Sequence, residues 1–241
     1  MSVLSVVQNF CRKHGLVIPS AVVNSSDVTI QQIYGCLLDV LSETMQESKF
    51  QVLVQEALFT LTAQENQGKM TTLAPNGFQW AINETFFDRT RRLPLIGPIG
   101  ESDWQSLKAT PNSPPNYMYR IRGGSLLINP VPTVAGGLSQ IAFEYVSSYA
   151  FTDSTGTTGK VQPTSDADLF VFPENIVAKG LAYSWKQVKG IPYTEDQTRY
   201  FDMLNNYVAR NKTANTLTMG DNATSHFRPG IFIPSGSWFQ Q

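Results

Sequence analysis

The stretch 173–193, PENIVAKGLAYSWKQVKGIPY, determines the class of the fold because it carries an apolar stripe at helical spacing. Pro173 suits a first helical turn, where its missing N–H has no partner, and Lys189 with Gly190 marks the end. Its Trp, Tyr and Lys residues would also suit a ligand groove or a nucleic-acid contact, but the spacing favours a helix with one buried face. The predicted core positions of this helix and the next are Ile176, Val177, Leu181, Trp185, Val188, Phe201 and Leu204.

A second helix follows after a short turn at Ile191-Pro192. Thr194 and Gln197 match a capping box, and apolar residues recur at helical spacing as far as Val208. Two consecutive helices with a short connection are expected to pack as an antiparallel hairpin.

The N-terminal part of the chain predicts two more helices. The first spans residues 3–14 and ends at Gly15, and the second begins after Ser26 or Asp27 and ends near Ser48. Each has one apolar face, so we expect both to join the hairpin in a single bundle.

The middle of the chain has the alternating pattern of strands. Residues 78–82, 117–122 and 141–145 alternate apolar and polar side chains, and Gly123-Gly124 supplies the residue type that a two-residue hairpin turn requires. We predict an antiparallel sheet built from hairpins and a meander, followed by a polar loop at residues 152–168.

These elements together predict an α+β fold. Residues 1–50 and 173–212 form a helical bundle, residues 51–172 form a central antiparallel β-domain, and residues 213–241 form an extended C-terminal arm. The arm is too broken by Pro and Gly for a helix, and its apolar residues would dock on a partner, on a neighbouring subunit or on the chain's own surface. Its candidate anchors are Phe227, Ile231, Phe232, Ile233, Trp238 and Phe239.

The amino-acid composition limits the classes of binding partner that we expect for the chain. The 241 residues include 18 Lys and Arg against 19 Asp and Glu, a net charge of -1, which argues against a general affinity for nucleic acid or for anionic membranes. No apolar run approaches the roughly 18 residues of a membrane span. Cys11 and Cys36 lie far apart in apolar surroundings, as expected of reduced core thiols in a reducing cytoplasm.

Sequence patterns of catalysis are mostly missing, and we predict neither an enzyme, a metal site nor a cofactor. The two histidines are His14 and His226, and no nucleophile elbow or HExxH helix occurs. The segment GTTGK at 156–160 lacks the first Gly and the Ser or Thr of a phosphate loop, so a turn is favoured. A pair of carboxylates for glycoside hydrolysis is possible, but no pattern indicates one.

Arginines form the densest basic cluster in FFDRTRR, at Arg89, Arg91 and Arg92. They could contact DNA phosphates or an acidic partner, whereas the residues alone favour a solvated turn. For Arg120 and Arg122, alternation predicts exposed positions on the face opposite a core of tyrosines.

The order of several segments resembles the head-to-tail adaptor (connector) proteins of tailed bacteriophages over most of residues 50–205. The segments are FFDRTRRLPLIGPIGESDWQSLKA, YRIRGGSLLINPVPTVAGGLSQIAFEYVS and FPENIVAKGLAYSWKQVKGIPYTED, with a polar loop before the last. The positions that carry the resemblance are Asn83 to Thr85, Arg89-Thr90, Leu93 to Pro98, Trp104-Gln105, Arg120 to Gly124, Asn129 to Pro132, Phe143 to Tyr145 and Trp185 to Gly190.

The resemblance implies a dodecameric homo-oligomeric ring in the virion, at the junction of head and tail, assembled in the cytoplasm of a bacterial host. The implied partners are the portal protein, a tail nozzle or tail-tube protein, and genomic DNA that passes through the channel without sequence-specific binding; no membrane is implied. It further suggests that the C-terminal arm docks into the portal, and it places Arg89, Arg91 and Arg92 in an intersubunit or DNA-facing loop. A near-neutral chain suits a channel through which DNA slides without sticking.

Two other functions remain as alternatives. The chain could serve elsewhere in the tail, as a tail-tube or stopper protein, which would keep the ring and change its neighbours. A tail-associated enzyme that degrades the cell wall is the alternative of another class, against which the sparse histidines argue.

Overall fold

The computed structural model of the chain describes residues 2–47, 50–109, 115–133 and 138–211. Its helices are α1 (Val3–His14), α2 (Val28–Glu47), α3 (Met70–Leu73), α4 (Glu101–Ala109), α5 (Glu174–Val188) and α6 (Thr194–Asn211), with a 3-10 turn at Gln51–Leu53. Its strands are β1 (Val54–Thr60), β2 (Asn66–Lys69), β3 (Trp80–Ala81), β4 (Phe87–Asp88), β5 (Leu93–Pro94), β6 (Met118–Arg122), β7 (Ser125–Asn129), β8 (Gln140–Val146), β9 (Phe151–Thr152), β10 (Gly159–Lys160) and β11 (Leu169–Phe170). The predicted α+β class is confirmed.

The predicted bundle of N-terminal and C-terminal helices is present, and α5 lies at its centre. Gly180 of α5 lies against Val40 of α2 and Tyr200 of α6, so closely that a Cβ at this position would overlap Val40. On the side of α1, the rings of Phe10 and Trp185 meet edge to face with centroids 6.0 Å apart. Apolar faces from both ends of the chain therefore share one core.

The helix ends follow the local signals in the sequence. Gly15 adopts a left-handed conformation with φ 66° after α1, and Gly190 does so with φ 68° after α5. The Ile191 N–H then bonds back to the Lys186 carbonyl at 2.9 Å, which satisfies a carbonyl in the last turn of α5. Glycine at both positions avoids the steric cost of positive φ.

The strands form three antiparallel sheets. One contains β1, β8, β4 and β5 in that order with β3 also on β8, a second has the order β2-β7-β6, and a third has the order β10-β9-β11. Gly123 and Gly124 form the predicted β6–β7 turn with φ 58° and 73°. The predicted meander is wrong, because β8 pairs with the distant β1, from Val54↔Val146 to Thr60↔Gln140, and not with β7.

Stacked aromatic rings fill the core beneath the larger sheet. Phe86 lies between Phe143 and Tyr119, with ring centroids 4.6 Å and 4.1 Å away. These residues belong to a second hydrophobic cluster, distinct from that of the bundle.

Helix α4 was not predicted, and it changes the environment of Arg120. Trp104 of α4 is fully buried, while Glu101 in its first turn bonds the Arg120 guanidinium at 2.7 Å. Arg120 is consequently only 9% exposed, and the prediction of an exposed position is wrong for this residue. Arg122 is exposed as predicted.

The polar loop before α5 holds the N-terminal segment in place. The Asp166 carboxylate accepts the N–H groups of Val22 and Val23 at 3.0 and 2.8 Å. The backbone carbonyls of Asp166 and Asp168 accept the N–H groups of Leu4 and Val3 at 3.2 and 3.0 Å. The first helix thus receives partners for donors that a helix N-terminus leaves unpaired.

The Asp168 side chain organises this loop from inside. It is 2% exposed, and both of its oxygens lie 2.9 Å from Lys160 Nζ. The same carboxylate accepts the N–H groups of Thr164 and Ser165 at 2.8 and 3.0 Å. Burial alone would raise the pKa of Asp168, but these bonds outweigh it and lower that pKa.

Within the described residues, no helix is both long and apolar enough to span a bilayer.

Candidate interaction surface

A groove runs along the bundle between α1, α5 and α6. It consists of two adjoining hollows of about 470 and 520 Å³ that share Asn175, Lys179 and Met203. Its apolar lining residues are Val6, Phe10, Ile176, Ala178, Ala182, Met203 and Tyr207. Val6, Phe10 and Ile176 are buried. The apolar surface that a partner segment can cover consists of the half-buried residues Ala178, Ala182, Met203 and Tyr207.

Charged residues along the groove give it a positive potential. Its cations are Arg12, Lys13, Lys179, Lys186, Arg199 and Arg210. Its carboxylates are Glu174, Asp196 and Asp202. The lining has six cations and three carboxylates, and Glu195, which pairs with Arg199, adds a fourth carboxylate. The excess is therefore two positive charges, on a chain whose net charge is -1. The groove is therefore a local basic surface that the overall composition conceals.

Two of these cations form salt bridges within the chain. Lys186 pairs with Asp196 and ties α5 to α6, and Arg199 pairs with Glu195 one turn away. Lys179 and Arg210 form no salt bridge among the residues that the structure describes. Their charges are available to an acidic partner.

His14 lies at one end of the groove with its ring 4.3 Å from that of Phe10. Burial lowers the pKa of His14, and repulsion from Lys186 lowers it further. An imidazole with a lowered pKa carries little charge near pH 7, so the positive charge of the groove comes mainly from Lys and Arg.

The helices beside the groove contain the predicted core positions. Ile176, Val177, Leu181, Trp185 and Leu204 are buried, and Phe201 is half-buried. Val188 is 62% exposed, so its prediction as a core residue is wrong. It is the last residue of α5, and Val28, the first residue of α2, is also exposed.

The basic loop Arg89, Arg91 and Arg92 lies between β4 and β5. Arg89 pairs with Glu56 on β1, and the Arg91 guanidinium lies 4.8 Å from the centroid of the Tyr117 ring. Arg92 is exposed and has a positive φ of 60°. The chain itself thus engages the first two arginines, and a role of the loop toward DNA or another subunit stays a prediction.

The segment GTTGK forms an internal turn. Asp153 Oδ1 accepts the Thr157 N–H at 2.9 Å and the Thr155 hydroxyl at 2.8 Å, and these bonds lower the pKa of Asp153. Lys160, which a phosphate loop would direct at its ligand, is bonded to Asp168. A carboxylate in the turn would repel a bound phosphate, which favours the predicted interpretation as a turn.

Both cysteines are free and buried as predicted, and burial raises the pKa of each thiol. Among the described residues, no cluster of three or more His, Cys, Asp or Glu side chains could hold a metal ion. The candidate portal anchors, from Phe227 to Phe239, lie outside the described residues.

Sequence patterns did not reveal the groove. It is formed by side chains on the outer faces of three helices, whose polar positions are each unremarkable in sequence. The sequence signal that could have indicated the groove is the set of Lys and Arg residues at positions 12–13, 179, 186, 199 and 210. These positions lie on helices that are predicted to pack together.

Compared with models of protein families, the sequence gives no match, and a search of curated proteins finds none either.

Proposed function

We propose that the chain is a structural virion protein that forms the head-to-tail adaptor ring between portal and tail and lines part of the DNA exit channel. The order of segments that resembles the adaptor family supports this proposal. In such a ring, each subunit presents different surfaces to its two neighbours, so the chain needs broad contact surfaces.

The observation that carries the proposal is the basic groove of α1, α5 and α6. Its floor offers Met203 and Tyr207, and its rim offers Arg199 and Arg210. Aromatic residues, Met and Arg are the residue types enriched in protein–protein interfaces. We assign this groove to the portal and expect an acidic portal surface opposite it, because charge complementarity steers such an encounter.

The experiment mixes the purified protein with the portal protein of the same virus and measures mass by native mass spectrometry, with particles imaged by electron microscopy. We expect a ring of adaptor subunits on the portal. Free subunits both with and without portal would refute the proposal.

Charge reversal tests the groove itself. The double variant Lys179→Glu and Arg210→Glu should weaken portal binding by about tenfold or more, since like charges would then face each other. The matched control is Lys69→Glu with Arg122→Glu, which reverses two exposed cations outside the groove. Equal binding by the groove variant and the wild type would remove the groove from the portal interface.

The C-terminal arm is proposed as a second portal contact. Deletion of residues 222–241 should reduce attachment to the portal, and intact attachment would end this part of the proposal.

A further inference from the structure

Strand β1 has one hydrogen-bonding edge that no described residue occupies. It pairs with β8 along all seven of its residues, and no other strand pairs with it in the described part of the chain. An unpaired edge of this length is a template for one more strand.

The hydrogen bonds at the two ends of β1 identify which residues face the open side. The Leu61 N–H bonds to the Ser139 carbonyl at 2.9 Å, and the Ser147 N–H bonds to the Leu53 carbonyl at 2.8 Å. In an antiparallel pair, alternate residues bond to the partner strand, so the odd-numbered positions face β8. The backbone N–H and C=O groups of Glu56, Leu58 and Thr60 therefore point outward.

The residues at the outward positions of this edge are accessible to solvent. Glu56 and Thr60 are exposed, and Leu58 is 47% exposed. Natural proteins usually protect an open edge with Lys, Pro, a bulge or a covering segment. Within residues 54–60 there is no Lys or Pro, and the register to β8 is continuous.

We propose that residues 230–233 of the same chain, Gly-Ile-Phe-Ile, add to this edge as an extra strand in the free protein. Pro229 and Pro234 bound the segment, so its length fits the open positions from Glu56 to Thr60. Ile and Phe are strand-forming residues, and backbone bonds supply the affinity when a strand joins an edge. This inference concerns the free chain and does not depend on the proposed function.

The starting point of the arm favours its own chain as the source. Tyr207, in the last turns of α6, has its ring centroid 6.0 Å from that of Phe50, just before β1. Leu58 lies roughly 20–25 Å further along the turn and strand. A flexible linker of 18 residues, the number between Asn211 and Gly230, has a typical end-to-end distance of roughly 20–25 Å. A linker of that length would let the segment reach the edge at an effective concentration of about millimolar.

Hydrogen–deuterium exchange of the full-length protein tests the pairing. The outward amides of Glu56, Leu58 and Thr60 should exchange about tenfold or more slowly when an added strand bonds them. The double variant Ile231→Pro with Phe232→Pro removes two consecutive N–H groups, one of which must face β1 in either register. In this variant we expect the protection at residues 56–60 to disappear.

Two further variants separate the proposal from general disturbance. Thr216→Pro with Leu217→Pro places the same change in the linker and should leave the protection intact. Leu58→Pro removes an outward N–H without loss of a bond to β8, and exchange in residues 230–233 should become faster.

Equal exchange at residues 56–60 in the wild type and the Ile231→Pro, Phe232→Pro variant would overturn the proposal. Protection that rises with protein concentration would also overturn it, because another copy would then supply the strand. Since no portal is present, neither result bears on the adaptor function.

Discussion

Replacing Asp168 by Asn should lower the free energy of unfolding by about 2–3 kcal/mol, because a buried, charge-assisted cluster is broken. Asn has nearly the same shape, and its Oδ1 can still accept the N–H groups of Thr164 and Ser165. Its amide group would then point at Lys160 Nζ, so that two donors face each other where a carboxylate now accepts. Lys160 is 23% exposed and partly hydrated, which keeps the loss below that of a fully buried pair.

The pH dependence supplies a second, independent signature. The folded-state pKa of Asp168 is lower than its usual 3.8, so the stabilisation is fully present above about pH 4 and is lost as the pH falls through the folded-state pKa. The difference between wild type and Asp168→Asn should therefore be largest near neutral pH and shrink in acid. Urea denaturation at a series of pH values measures both quantities.

The control is the exposed pair of Lys108 and Glu65. Lys108→Met should cost less than about 1 kcal/mol, whereas Lys160→Met should cost more because it leaves the buried carboxylate of Asp168 without its counter-charge. A loss below about 0.5 kcal/mol for Asp168→Asn, the size of an ordinary surface substitution, would refute the reasoning.

Two other predictions concern the bundle. Gly180→Ala should destabilise the protein by about 1–3 kcal/mol in thermal denaturation, because its Cβ would overlap Val40 and crowd Tyr200. Gly35→Ala in α2, where a Cβ meets no atom within 4 Å, should instead be neutral or stabilise by up to about 1 kcal/mol, and the same sign for both would contradict the packing. Partial desolvation of the His14 ring and repulsion from Lys186 hold its folded-state pKa below 6.5, so stability should fall slightly as the pH drops through about 6.5. His14→Gln should show a smaller fall between pH 7 and 5 in urea titrations, and an equal fall would contradict this.

The helices could be predicted because their signals are local. Gly15 and Gly190 end α1 and α5 at the expected positions, and the apolar period of each helix defines its buried face. Helix α4 was missed because only Trp104 of its nine residues is buried, and Trp104 with Leu107 is too short an apolar pattern to define a helical period.

Val188 and Arg120 show that an apolar period does not determine whether a side chain is buried. An apolar stripe predicts the side of a helix or strand on which a side chain lies. Burial also requires a neighbouring element that extends far enough to cover that side chain. Val188 continues the apolar stripe of α5 and is nevertheless 62% exposed. Arg120 points outward from the core of tyrosines and is nevertheless covered, because α4 brings Glu101 over it.

The groove and the open edge depend on long-range pairing. The joining of β1 to β8 brings together segments about 80 residues apart, and the alternation within each strand does not specify its partner. The groove likewise requires α1 to lie beside α5. The apolar face of each helix is compatible with this arrangement but does not specify the other helix as its partner.

The Asp166 carboxylate accepts hydrogen bonds from the backbone N–H groups of Val22 and Val23, which lie 144 and 143 positions before it in the chain. A ribosome that adds roughly 5–20 residues per second makes residue 23 roughly 7–30 s before residue 166. During that interval the first two helices have emerged without the loop that holds them and without α5, which completes their core. A polypeptide that terminates before α6 lacks residues that line the groove, so only chains that extend through Asn211 would present it.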